Sequence, residues 1–248
     1  MGEKMKAYTI SDVGRVRREN QDCIRFYQTV RPASSILALC DGMGGAKAGK
    51  VAGEIGLSVF MTQISELICD RKRKETLSEM TRAAAVRANE SVFDKGAGDK
   101  SFEGMGTTLV AAVVRGGECC IVNVGDSRAY LISDSRITQI TRDHSFVEEM
   151  VGKGAITRAQ ALNHPRKNVI TRALGVDRTV DCDIFSPLFQ KNDLLLLCSD
   201  GLSNTLSDNE LLEISQRQKP LELIGQALLA LALSRGAPDN VTIGLLRK

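Results

Sequence analysis

The sequence predicts an α+β layered fold, and three observations lead there. Short runs rich in β-formers come in blocks, two long amphipathic helical stretches separate the first block from the second, and further helices follow the second block. The regular strand–helix–strand alternation of a doubly wound parallel sheet is missing. With 248 residues and no internal repeat or low-complexity stretch, the expectation is a single domain spanning 1–248 with a core large enough to need no staples.

The first block holds β-type runs at 6–10, 23–27 and 35–40, the last built on the apolar stretch Ile36-Leu37-Ala38-Leu39. Helical spacing follows. Val51, Ile55, Val59 and Leu67 recur at multiples of four, and Leu77, Met80, Ala84, Ala88 and Val92 at three to four, so each stretch buries one face. Between them Arg71-Lys72-Arg73-Lys74 reads as a solvated connector before it reads as a docking patch. Gly96-Ala97-Gly98 marks a turn into the second block at 107–114, 119–124, 129–132 and 137–140. Turns at Gly116-Gly117 and Asp134-Ser135 stand at hairpin distances, which predicts an antiparallel meander. From 143 to 175 the pattern turns irregular, and two capping-box pairs, Ser145 with Glu148 and Thr157 with Gln160, place short helices inside a loop-like insertion. β character returns at 194–198. Ser207 with Glu210 then opens a helix, Pro220 suits the first turn of another ending near Ser234, and 241–246 is the last strand.

Composition removes several functions. A formal charge of +3 with interleaved signs gives no basic stripe for nucleic acid. Seven cysteines, an odd count without a CxxC pair or a signal-like start, point to a reducing, cytoplasmic setting and to buried thiols, not to a disulfide framework or a zinc site. No apolar run approaches the roughly twenty residues of a membrane span, so no membrane is expected.

The chemistry lies in where the aspartates fall. Asp41 follows one apolar run, Asp126 and Asp200 follow two others, and Asp239 precedes the last; Gly42, Ser127, Gly201 and Asn240 come directly after them. Singly, each is an ordinary turn aspartate. Jointly they are different, because a layered sheet gathers strand ends at one rim, where several carboxylates repel unless cations sit among them. Oxygen-only ligands suit Mg²⁺ or Mn²⁺, and a pair of such ions lowers the pKa of a shared water, which is hydrolytic chemistry. Asp22, just ahead of a β run, is placed to bridge two ions, and Arg17 offers a planar fork that matches phosphate oxygens.

Taken together the motifs resemble the metal-dependent PP2C-like protein serine/threonine phosphatases, most closely their compact bacterial members, over essentially the whole chain. They run in order: Ser11-Asp12-Val13-Gly14 with Arg17 and Asn20-Gln21-Asp22; Asp41-Gly42-Met43-Gly44-Gly45; Gly104-Met105-Gly106-Thr107-Thr108; and Gly125-Asp126-Ser127-Arg128-Ala129-Tyr130. Thr141-Arg142-Asp143-His144-Ser145, Asn168 through Gly175, Cys198-Ser199-Asp200-Gly201-Leu202 and Asp239-Asn240-Val241-Thr242 complete the set. The resemblance implies a four-layer αββα sandwich of two antiparallel sheets flanked by helix pairs, with a flap at about 145–175. It implies that Asp22 bridges two cations, that Asp41 and the Gly42 carbonyl hold one and Asp200 and Asp239 the other, and that Asp126 with Asp200 serves a weaker third. Arg17 would bind the substrate phosphate. The implied partners are phosphorylated proteins, substrates of a serine/threonine kinase, met by a monomer; the implied reaction is direct attack by a hydroxide shared between the ions.

Two positions depart from the family pattern. Gln21 stands where many relatives have glutamate, removing one negative charge, and Met43 stands where eukaryotic members often have a histidine that protonates the leaving alkoxide. His164 in the flap is a candidate substitute, while His144 reads as structural. Two rival readings are weaker. Gly44, Gly49 and Lys50 have P-loop spacing, but Val51 replaces the hydroxyl that should hold Mg²⁺. A phosphate-sensing scaffold would have lost carboxylates that this chain retains.

Overall fold

The computed structural model describes residues 5–30, 32–70, 72–133, 135–215 and 219–248. Arg71 of the basic connector and Asp134 of the second predicted turn lie outside the described residues.

Strands that are apolar on both faces need a partner on each side, and the layering follows from that need. In β3 (Ala33–Met43), Ile36, Ala38 and Cys40 pack towards helices while Leu37 and Leu39 pack towards the opposite sheet. β5 (Leu109–Arg115) and β10 (Leu194–Cys198) divide their side chains in the same way. One sheet orders β2 (Asp22–Val30), β3, β5, β6 (Glu118–Val124) and β9 (Asp183–Phe185), with the short β4 (Gly106–Thr107) pairing the end of β3. The other orders β1 (Lys6–Asp12), β11 (Val241–Arg247), β10, β7 (Arg128–Ser133) and β8 (Arg136–Gln139). Every pairing is antiparallel.

The first sheet is covered by α1 (Ala46–Cys69) and α2 (Leu77–Gly98). α7 (Leu221–Ser234), with the shorter α5 (Asp200–Ser203) and α6 (Asp208–Ile214), covers the second. The expected four-layer αββα sandwich is what forms, and its middle is a core of Leu37, Leu39, Val110, Ile121, Leu195 and Leu197 drawn from both sheets. α3 (Phe146–Gly152) and α4 (Arg158–Leu162) lie in the flap. The capping boxes at Thr157 and Ser207 form as expected. At Ser145 only half forms: its hydroxyl accepts from the Glu148 N–H, while the Glu148 carboxylate is drawn to Arg142 and Arg158.

Several expectations need correction. The four strands from 107 to 140 do not make one meander: β5–β6 is a hairpin in one sheet and β7–β8 a hairpin in the other. The first of those runs is also broken at Thr108 into β4 and β5. Gly96-Ala97-Gly98 is the last turn of α2, because the chain reverses only after Asp99 caps a short 3₁₀ turn at Lys100–Phe102. α1, by length and composition, is apolar enough to cross a bilayer, although no such run was expected. Half of its apolar stretch is buried, with Phe60, Ile64 and Ile68 packed into the core beneath it.

Candidate active site

The starts of β2 and β11 and the ends of β3, β6 and β10 meet at one end of the sandwich, and the aspartates are gathered there. Asp22 opens β2 and stands directly opposite Asp41 in the ladder. Asp41 is not beyond its strand, as the sequence suggested, but inside β3, fixed from both backbone sides. Its N–H donates to Thr108 Oγ1 at 2.9 Å, and its carbonyl accepts from the Thr108 N–H at 2.8 Å and from Thr107 Oγ1 at 2.9 Å. Asp126 lies in the loop after β6, Asp200 is the first residue of α5, and Asp239 stands just ahead of β11.

Gly42 and Gly49 explain the false P-loop spacing. A Cβ on Gly42 would stand 2.0 Å from the Gly49 carbonyl oxygen, and one on Gly49 would stand 2.8 Å from Gly42 carbon and oxygen. Only glycine at both positions lets the first turn of α1 close on the end of β3. The pair is a packing contact that brings the start of α1 to the site.

Electrostatics make the cluster costly without a counter-charge. Burial is the first cause raising the pKa of Asp22, Asp41, Asp126 and Asp200 above the usual carboxylate value. Repulsion adds to it: Asp22, Asp200, Asp126 and Asp239 all act on Asp41, and Asp126, Asp239 and Asp22 act on Asp200. Asp126 is pushed up to about 6 by burial and then by Asp143. Asp22 is partly relieved by hydrogen bonds. Ser199 Oγ donates to its Oδ2 at 2.7 Å and itself accepts from the Thr242 N–H at 3.0 Å. The other oxygen, Oδ1, is buried without a hydrogen-bond partner, and so is Asp200 Oδ1. Among the described residues no three His, Cys, Asp or Glu side chains form a ready-made metal cage. The aspartates surround a shared space instead of closing on one point.

That space is a cleft of about 620 Å³ lined by Arg17, Asp41, Gly42, Asp126, Asp200 and Asp239 together with Met43, Gly44, Thr108 and the flap residues Asn168 and Ile170. Asp22 lies behind Asp41, nearly fully buried. Arg17 donates from Nη2 to Asp239 Oδ2 at 2.8 Å, a pair that raises the pKa of the guanidinium, and half of its side chain remains exposed. Asp239 Oδ1 accepts from the Asn240 N–H at 2.9 Å. Asn240 also ties the N-terminal motif down, donating from Nδ2 to the Val13 and Glu19 carbonyls and accepting from the Gln21 N–H.

All seven predicted site residues therefore come together, six on the cleft wall and Asp22 behind it. The two histidines do not join them. His164 packs on Phe146 with ring centroids 5.8 Å apart and is absent from the cleft lining. His144 accepts from the Gly125 N–H through Nδ1 at 3.1 Å and faces Asp183 through Nε2 at 3.3 Å; burial lowers its pKa, so it is a neutral strut under the Asp126 loop. Met43 does line the cleft, and no histidine is among the residues that line it. Sequence reading missed Ser199, Thr242 and Asn240 as supports, although each adjoins or lies in a motif already singled out.

An αββα sandwich whose sheets open onto a pit of carboxylates, Asp22 buried and the other four half-buried, with an arginine leaning over it, defines a class of hydrolase built to handle phosphate. Comparison with known proteins narrows it. The family model described as Protein phosphatase 2C matches residues 15–227. The serine/threonine phosphatase stp of Listeria monocytogenes is 36% identical over 244 residues, covering 98% of this chain and 96% of its own. The crystal structure of Stp1 from Staphylococcus aureus superposes with a TM-score of 0.89 at 34% identity, covering 100% of this chain and 96% of that one. The catalytic domain of the phosphatase PstP, crystallised with two manganese ions, gives 0.81 at 35% identity, covering 98% and 97%. The chain belongs to the protein phosphatase 2C family.

Proposed function

We propose that the chain is a protein phosphatase that removes phosphate from phosphoserine and phosphothreonine in other proteins, using two divalent cations, Mn²⁺ or Mg²⁺, with a weaker third. The observation that carries this reading is the pair of orphaned buried oxygens, Asp22 Oδ1 and Asp200 Oδ1, inside a pit of five mutually repelling aspartates. The residues present fit such ions, being hard, oxygen-only donors with little else to neutralise them. Asp22 would lie between the two ions, Asp41 and the Gly42 carbonyl would hold one, Asp200 and Asp239 the other, and Asp126 with Asp200 the third. The two manganese ions of the PstP structure support the kind and number of the two main ions. When bound, such cations supply Lewis acidity to phosphoryl oxygens and lower the pKa of water towards neutrality.

The chain's own residues do the positioning. Arg17 is the positive charge that answers Asp239, and a cation at Asp239 would free the guanidinium fork to grip two phosphoryl oxygens. Ser199 and Thr242 hold one oxygen of Asp22 and so aim the other. Met43 has no proton to give, so the leaving alkoxide takes its proton from solvent or from another group. The reading extends to a single catalytic domain, monomeric and cytoplasmic, that opposes a serine/threonine kinase. The described cysteines are all free and mostly buried, as suits a reducing compartment.

The direct test compares phosphoserine, phosphothreonine and phosphotyrosine peptides with and without Mn²⁺. Release from the first two only, and only with metal, is expected; metal-independent release or a phosphotyrosine preference would refute the reading. A second expectation concerns Ser199→Ala. It should weaken Mn²⁺ binding by about 10–100-fold, the usual effect of losing a group that orients a ligand. Calorimetric titration reads this directly, and Ser199→Thr should restore most of the affinity by returning the hydroxyl.

A further inference from the structure

A second depression, of about 310 Å³, opens beside the cleft and shares Met43 and Ile170 with it. Met43, Ile170, Val176 and Val180 give its lining an apolar part, and Asp177 and Asp181, with Arg172 opposing them in charge, give it a net acidic one. Gly106 leaves room for the apolar part: a Cβ there would stand 2.7 Å from Met43 Cε and 3.1 Å from Val176 Cγ2. The wall is fixed from behind. Buried Asn89 accepts from the Gly175 N–H at 2.8 Å and donates to the Asp177 and Arg178 carbonyls at 3.0 and 3.1 Å. Charge in the lining is unbalanced. Asp177 is exposed and has no ion pair among the described residues, while Arg172 is shared between Asp181 at 3.5 Å and Asp183 at 3.1 Å.

We infer that this depression receives a lysine or arginine side chain flanking the phosphorylated residue of the substrate. The inference rests on the phosphatase reading, since it places the phosphoryl group in the neighbouring cleft. An extended peptide advances roughly 3.3–3.6 Å per residue, so residues one or two places from the phosphoresidue fall beside that cleft. A lining that is part apolar and part acidic matches a side chain with an aliphatic stem and a cationic head. The stem lies across Met43, Ile170 and Val176, and the head meets Asp177, Asp181 being already paired with Arg172. A purely apolar side chain would leave Asp177 unanswered, and an acidic one would meet its repulsion.

The test uses the full chain with saturating Mn²⁺ and a panel of phosphothreonine peptides carrying arginine, leucine, alanine or glutamate in turn at the two positions on each side. p-Nitrophenyl phosphate, which has no flanking residue, is the control. At one position kcat/KM should favour arginine over glutamate by about fivefold, the scale of a partly exposed charge interaction, and the preference should shrink at high salt. Asp177→Lys should remove or invert it while p-nitrophenyl phosphate turnover stays unchanged. A flat profile at all four positions, a leucine preference indifferent to salt, or an equal loss on control and peptides in Asp177→Lys would overturn the inference. Failure of the wild-type chain to turn over any peptide or the control would instead sink the phosphatase reading.

Discussion

Asp41→Asn should lower Mn²⁺-dependent hydrolysis of a phosphothreonine peptide by at least about 10²–10³-fold, the scale on which loss of one charge-stabilising group in an active site is felt. The same change should raise the melting temperature of the metal-free protein. Asp41 is held among Asp22, Asp200, Asp126 and Asp239, and burial already disfavours its charge. Asparagine keeps the shape and removes the charge, so the chelated fold loses a repulsive member of the pit. About 1 kcal/mol of relief moves the melting temperature of a domain this size by roughly 2–4 °C. The opposite signs matter, because a substitution that merely damaged the fold would lower both activity and melting temperature. Activity assays with Mn²⁺ and thermal melts in chelator check the pair.

The metal-free protein should also lose stability as pH rises. A carboxyl whose pKa is raised in the folded state keeps a proton that the unfolded chain has released, so stability is full below the unfolded value and falls as pH climbs through the folded one. For Asp126 that window runs from 3.8 to about 6, worth on the order of 3 kcal/mol, and Asp22, Asp41 and Asp200 shift in the same direction. His144 acts the other way. Its folded pKa is lowered by burial, so it contributes a gain as pH rises towards 6.5. Glu75, Glu79, Asp99 and Glu210, held below the usual carboxylate value by hydrogen bonds, add a gain in the same direction, but on exposed or half-exposed side chains and mostly below pH 4.5. In chelator the melting temperature is therefore expected to drop by roughly 6 °C or more between pH 4 and pH 7. Saturating Mn²⁺ should reverse the trend, because ionised carboxylates bind the cation and binding stabilises the folded state. A melting temperature in chelator that is flat or rising over this range would contradict it.

Local signals were legible in the sequence and long-range ones were not. The periodicity of α1 and α2, the capping boxes at Thr157 and Ser207 and the apolar runs of β3, β10 and β11 needed only neighbouring residues to be read. β9 is three residues long and exists because Ile121, Val122 and Asn123 lie opposite it, which nothing local announces. The split of the expected meander had the same origin: two hairpins look alike whether they share a sheet or face each other. Strand-end aspartates were readable because each motif carries its own turn residue, whereas their supports were hidden. Ser199 and Asp22 are 177 residues apart in the chain and meet only because β10 and β2 lie in facing sheets. The Gly44, Gly49 and Lys50 spacing misleads for a related reason, since the need for glycine at 49 comes from contact with Gly42 across a turn.

The most direct test of the aspartate pit is Mn²⁺ titration of the purified chain beside Asp22→Asn and Asp239→Asn, read as stoichiometry by calorimetry or by electron paramagnetic resonance of free Mn²⁺. Two ions should bind the wild-type chain tightly, with any third much weaker. Asp239→Asn should keep one, and Asp22→Asn, which removes the carboxylate proposed to serve both, should weaken both. A single tight ion in the wild-type chain, or two retained at unchanged affinity by Asp22→Asn, would contradict the central assignment.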